Sequence, residues 1–122
     1  MVVSEKRIEQ DIMLSVSKQG GAIFKNAVGL VQQRDGSTLR YGLCKGSSDL
    51  IGIQPVTITA DMVGKTVGVF IAIEVKKDRH GYKATDGQTQ FIDMVKKKGG
   101  LAGVVYSPED ALQILQFSNG KE

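Results

Sequence analysis

The alternation of apolar and polar positions divides the chain into short segments. In residues 4–19, Ile8, Ile12 and Val16 recur every four positions, the repeat of a helix that buries one stripe. Ser4 precedes it as an N-cap whose hydroxyl accepts a bond from an unpaired backbone N–H, and Gly20-Gly21 ends it. Short strands are expected next, at residues 22–24, 29–33 and 38–43, with Asp35-Gly36 as the hairpin turn between the last two. Gly46-Ser47-Ser48 leads into a strand over residues 49–53, and residues 57–66 read as an excursion with a helical turn near 60–63. Residues 67–76 carry the strongest strand signal. They are β-branched and almost continuously apolar up to Glu74, as in a central strand covered on both faces. After a polar loop at 80–86, residues 87–98 form a second helix. Thr85 or Asp86 caps it, Phe91, Ile92 and Val95 are its apolar stripe, and Gly99-Gly100 stops it. A buried strand at 101–106 follows. Ser107 then caps a last helix at 108–117, with Pro108 at its first position and Ala111, Leu112 and Leu115 facing inward.

The order is helix, three or four strands, helix, strand, helix, summarised as α-β-β-β-α-β-α. It predicts an α/β protein with a mixed central β-sheet flanked by helices, in a single domain over residues 1–122. Hydrophobic content is 41% and charged content 24%, both ordinary for a folded chain. No apolar run approaches the length of a membrane helix, and the polar N-terminus is not a signal peptide, so no membrane partner is expected. The one cysteine, Cys44, cannot form an internal disulfide and fits a reducing cytoplasm. Together with the one histidine, His80, it cannot build a structural zinc site. The phosphate-loop and dinucleotide-binding glycine patterns are both missing, so no nucleotide cofactor is expected.

The formal net charge is +3, but its distribution says more. Lys76, Lys77, Arg79, His80 and Lys83 cluster, and Lys96, Lys97 and Lys98 close the second helix. A solvated surface explains such charges. So does a face that attracts a phosphate backbone.

Ile73-Glu74-Val75-Lys76 ends the best strand. Side chains alternate across a strand, so Glu74 and Lys76 share one face and Val75 takes the other. Charges in such a place are costly to desolvate. Either they form a strand-end ion pair reaching solvent, or Glu74 is a metal-binding carboxylate beside a lysine that handles a nucleophilic water. Asp49, at the start of another apolar strand, favours the second reading. Two carboxylates at neighbouring strand ends can share Mg²⁺ or Mn²⁺, hard ions that take oxygen ligands. The carbonyl of Val75 is a further candidate ligand, and Lys76 can orient or deprotonate the water or neutralise charge on the transition state.

Asp49 followed twenty-five positions later by Glu74-Val75-Lys76 resembles the PD-(D/E)XK nuclease pattern, with Ser48 where that pattern usually has proline. More narrowly, the chain resembles the VRR-NUC family, its small stand-alone phage members in particular. The similarity runs through residues 4–8, 41–52, 72–76, 88–92 and 99–105, in order. It implies a restriction-endonuclease-like core and a metal-dependent endonuclease of DNA, with Asp49, Glu74 and Lys76 as catalytic centre. It also implies a glutamate of the first helix near the metal. Glu5 matches by its spacing to Ile8, and Glu9, one turn on, is the second choice. The family's glutamine after the ExK strand matches Gln88, in a Q-x-x-F arrangement with Phe91, with Gln90 as rival. Gln88 also suits a capping box with Thr85. Lys25, Asn26, Ser47 and Ser48, and with them Lys77, Arg79, His80 and Lys83, are expected to meet the DNA backbone.

The stand-alone relatives imply a homodimer acting on branched DNA such as four-way junctions, in a bacterial host's cytoplasm. Symmetric cleavage of two strands needs two sites related by a twofold axis. The alternatives are a nuclease of flap or linear DNA and a catalytically idle DNA-binding module of the same fold.

Overall fold

A computed structural model describes residues 3–77, 81 and 83–116. The elements are α1 (Glu5–Lys18), β1 (Ala22–Lys25), β2 (Gly29–Gln32), β3 (Thr38–Tyr41), β4 (Leu50–Ile53), a 3-10 turn at Ala60–Met62, β5 (Ile71–Val75), α2 (Asp86–Lys97), β6 (Leu101–Val105) and α3 (Pro108–Ile114). Among the described residues, five strands separate α1 from α2, where the summarised order had three. They pair two by two and do not form one mixed sheet: β1 with β4 and β2 with β3 antiparallel, β5 with β6 parallel. The β2–β3 hairpin falls where strands at 29–33 and 38–43 with a turn at Asp35-Gly36 were expected, and in sequence it lies between the two strands of the β1–β4 pair. Strands of four residues are too short for periodicity alone to fix their more distant partners. The chain gathers into two compact units, Met1–Gln54 and Pro55–Glu122.

In the first unit Ser4 caps α1, its Oγ accepting the Arg7 N–H at 3.1 Å. The helix packs on β1. Its half-buried residues are Glu9, Met13 and Val16, whereas Ile8 and Ile12 are 47% and 43% exposed. The expected stripe of Ile8, Ile12 and Val16 is therefore corrected. Steps of four outrun a turn of 3.6 residues and drift around the helix, while positions 9, 13 and 16 stay on one side. β1 and β4 pair with Phe24 opposite Ile51 and Lys25 opposite Leu50, and Ile53 is buried. The β2–β3 hairpin turns through residues 33–37, where Gly36 has a φ of +90°, a left-handed conformation that glycine adopts without strain. The Ser37 hydroxyl, then the Ser37 backbone N–H, hydrogen-bond the Asp35 carboxylate and hold its carboxyl below the ordinary range.

The second unit is built on a parallel β5–α2–β6 crossover, with α3 packed on β6. Ile92 and Val95 of α2 are buried, with Ala102 and Val105 of β6. β5 is shorter than expected and is not covered on both faces, since Ile71 is 49% and Val75 70% exposed. The inward set on α3 is also corrected. Ala111 and Ile114 are half-buried, and Leu112 and Leu115 are exposed. Ile114 lies over Gly103, where β6 has no side chain of its own.

Val95 has no exposed surface. Val95→Ala would remove two buried methyl groups and leave a cavity, at a cost of about 2 kcal/mol. A urea titration should show a lower midpoint with an unchanged slope. No helix of the described residues is long and apolar enough to cross a membrane.

Candidate active site

Glu74 is placed by the β5–β6 pairing, opposite Val104, and the Lys76 N–H extends that pairing by donating to the Val105 carbonyl at 2.9 Å. Glu74 and Lys76 share a face, as strand alternation requires, with Lys76 Nζ 3.4 Å from Glu74 Oε2. Both side chains are largely shielded, at 31% and 18% exposure for Glu74 and Lys76. The same Oε2 accepts a 3.0 Å hydrogen bond from Gln88 Nε2. Among the described residues Oε1 receives none.

Gln88 reaches Glu74 because of its place on α2. Positions 88, 92 and 95 lie on one face of the helix, and Ile92 and Val95 anchor that face in the core. Gln90 is exposed on another face. Gln88 is also the N3 residue of a capping box. Its N–H donates to Thr85 Oγ1 at 3.1 Å, and its Oε1 accepts the Thr85 N–H at 2.9 Å. The cap uses the amide oxygen, so the amide nitrogen is turned to Glu74. One side chain thus makes both the cap and the bond to Glu74. Glu74, Gln88 and Phe91 line a cavity of about 320 Å³ with Ala72, Ile73 and Ile92.

Asp49 belongs to the first unit, immediately before β4. It lines a second cavity, about 440 Å³, with Glu5, Glu9 and Ser48 between the apolar Ile8, Ile12 and Leu50. Lys25, at the end of β1, reaches Glu9 with Nζ 2.8 Å from both carboxylate oxygens. This bond to Glu9, with the negative charge of Glu9, Asp49 and Glu5 around it, holds the Lys25 ammonium above the ordinary lysine range. The pair joins residues sixteen positions apart on different elements, so no local spacing announced it. Glu5 is exposed and Glu9 half-buried, and both lie on the cavity.

The expected backbone contacts divide. Asn26 and Ser47 have their side chains bonded to each other at 2.7 Å, and Lys25 is paired with Glu9. Ser48 lines the cavity beside Asp49. Lys77 and Lys83 are exposed, and Arg79 and His80 lie outside the described residues.

Among the described residues no three acidic, histidine or cysteine side chains stand together closely enough to hold a metal ion. The donor chemistry nonetheless suits a hard divalent cation. The first unit's carboxylates already draw the Lys25 ammonium to Glu9, and Glu74 in the second unit has one oxygen without a partner among the described residues.

Comparison with the curated proteins and with solved structures gave no match. The family model for the VRR-NUC domain matches residues 4–109, a stretch that includes Glu5, Asp49, Glu74, Lys76 and Gln88. With so much of its length matched, the chain belongs to the VRR-NUC domain family, a family of nuclease type.

Proposed function

We propose that the chain is a Mg²⁺- or Mn²⁺-dependent endonuclease that hydrolyses phosphodiester bonds of DNA, and that it acts as a homodimer on branched substrates such as four-way junctions. The observation that carries this reading is the Glu74 carboxylate. One of its oxygens is held by the Gln88 amide and the Lys76 ammonium, and the other has no partner among the described residues. A surface ion pair needs no such arrangement, being worth about 0–1 kcal/mol and tolerating loose geometry.

In this proposal Asp49, Glu74, the Val75 carbonyl and Glu5 or Glu9 would hold the ion. When bound, it would supply Lewis acidity at the scissile phosphate and make water a better nucleophile. The protein's own residues do the rest. Gln88 fixes the Glu74 carboxyl plane. Lys76 stands as an ion pair 3.4 Å from Glu74 and has three N–H donors to offer a phosphate oxygen or the attacking water. Lys77, Arg79, His80 and Lys83 would attract the backbone, with an affinity that falls as salt rises.

The test is a panel of four-way junction, flap and linear duplex incubated with the protein in Mg²⁺ and in EDTA. The expected result is cleavage in Mg²⁺, fastest on the junction, and none in EDTA. Equal cleavage of all three substrates would remove the preference for branched DNA. Binding without cleavage would leave a DNA-binding module only.

A further inference from the structure

Among the described residues Asn26 is the buried polar side chain, with 9% of its surface exposed. A buried amide without partners is costly, so its bonds show what it is for. Its Nδ2 donates to Ser47 Oγ at 2.7 Å and to the Ser48 carbonyl at 2.8 Å, and its Oδ1 accepts the Leu43 N–H at 3.0 Å. Its backbone N–H donates to the Asp49 carbonyl at 2.8 Å, one step beyond the last β1–β4 pair. One residue thus grips residues 43, 47, 48 and 49, the whole loop that delivers Asp49.

Ser47 completes the grip. Its Oγ donates to the Cys44 carbonyl at 2.7 Å and accepts the Cys44 N–H, closing a turn onto the Asn26 amide. The loop starts at Gly42, whose φ is +89°, and a Cβ there would collide with the Ala27 carbonyl and Val28. That close approach brings the returning chain back against Asn26. The Asp49 side chain itself is exposed and makes no bond in this network, so its position depends on its backbone.

We propose that Asn26 is a positioning residue: its buried amide clasps the 42–49 loop and sets where the Asp49 carboxylate stands for ion binding. This rests on the nuclease reading, in which Asp49 is an ion ligand. It gives Asn26 and Ser47 a task within the protein.

The test compares wild type with Asn26→Asp and Ser47→Ala. Asn26→Asp keeps the acceptor for Leu43 but replaces both donors with an oxygen facing Ser47 and Ser48. Amide hydrogen exchange should speed up across residues 43–49 and stay unchanged in the β1–β4 pair. Mn²⁺ binding, read by electron paramagnetic resonance without substrate, should weaken by about tenfold, the scale for residues that orient a metal ligand. In cleavage, the half-saturating Mg²⁺ concentration should rise by a similar factor, KM for DNA should hold, and excess Mg²⁺ should restore part of the rate. Ser47→Ala should move each quantity the same way by less. Unchanged exchange in the loop would overturn the clasp. Faster exchange with unchanged Mn²⁺ binding would overturn its role toward Asp49. If wild type cleaves no DNA, the nuclease reading fails, and the exchange and Mn²⁺ comparisons still decide the inference. If Asn26→Asp does not fold, Ser47→Ala decides, and wild-type Mn²⁺ binding in that variant would overturn the proposal.

Discussion

Glu74→Gln should lower the rate of Mg²⁺-dependent DNA cleavage by about 10³-fold, the scale at which a preorganised charged group acts on a transition state. The substitution is close to isosteric. An amide oxygen at this position can still accept from Gln88 Nε2, so the local geometry should persist. What disappears is the negative charge, and with it an oxygen able to hold a hard cation and the ion-pair partner of Lys76, 3.4 Å away. Stability should change little, because a partly exposed ion pair contributes at most about 1 kcal/mol. The check is single-turnover cleavage beside a urea titration of the same protein. A fall in rate together with a fall in stability would point to lost folding. A wild-type rate would remove Glu74 from the mechanism.

The second large effect is expected at Gln88, where one side chain does two jobs that substitution can separate. Its Oε1 caps α2 by accepting the Thr85 N–H, and its Nε2 donates to Glu74. Gln88→Glu keeps the cap, since glutamate serves equally at that place in a capping box. It replaces the donor with an oxygen facing Glu74, at a place where the present separation is 3.0 Å, so attraction becomes repulsion. Activity should fall by about 10- to 100-fold with the thermal midpoint unchanged. Gln88→Ala should lose activity and also about 1 kcal/mol of stability with the cap. A Gln88→Glu protein as active as wild type would show that this glutamine serves the helix alone.

How much of this was legible in the sequence depends on the range of the interactions. Ser4 and Ser107 announced their caps because a cap acts over three residues, and of the two candidates for α2, Thr85 and Asp86, Thr85 is the cap. Strand alternation placed Glu74 and Lys76 on one face for the same reason. Gln88 could be separated from Gln90 by the helical spacing to Ile92 and Val95, two of the best-buried residues of the second unit. Several of the failures are matters of longer range. The pairing of β1 with β4 joins residues 25 or more positions apart, as Lys25 and Leu50, which no window of periodicity contains. The buried side of α1 was misread because Ile8 and Ile12 look like core by composition, while Glu9 is turned inward to meet Lys25 from another element. The clasp of Asn26 on residues 43–49 was likewise invisible, because an asparagine just after a strand reads locally as a turn residue.

The central proposal is that Asp49 and Glu74 are each ligands for a divalent ion. It is tested most directly by titrating Mn²⁺ calorimetrically into wild type, Asp49→Asn and Glu74→Gln, with no DNA present. The expected result is saturable binding by wild type and at least about tenfold weaker binding by each variant. Wild-type affinity in either variant would contradict it.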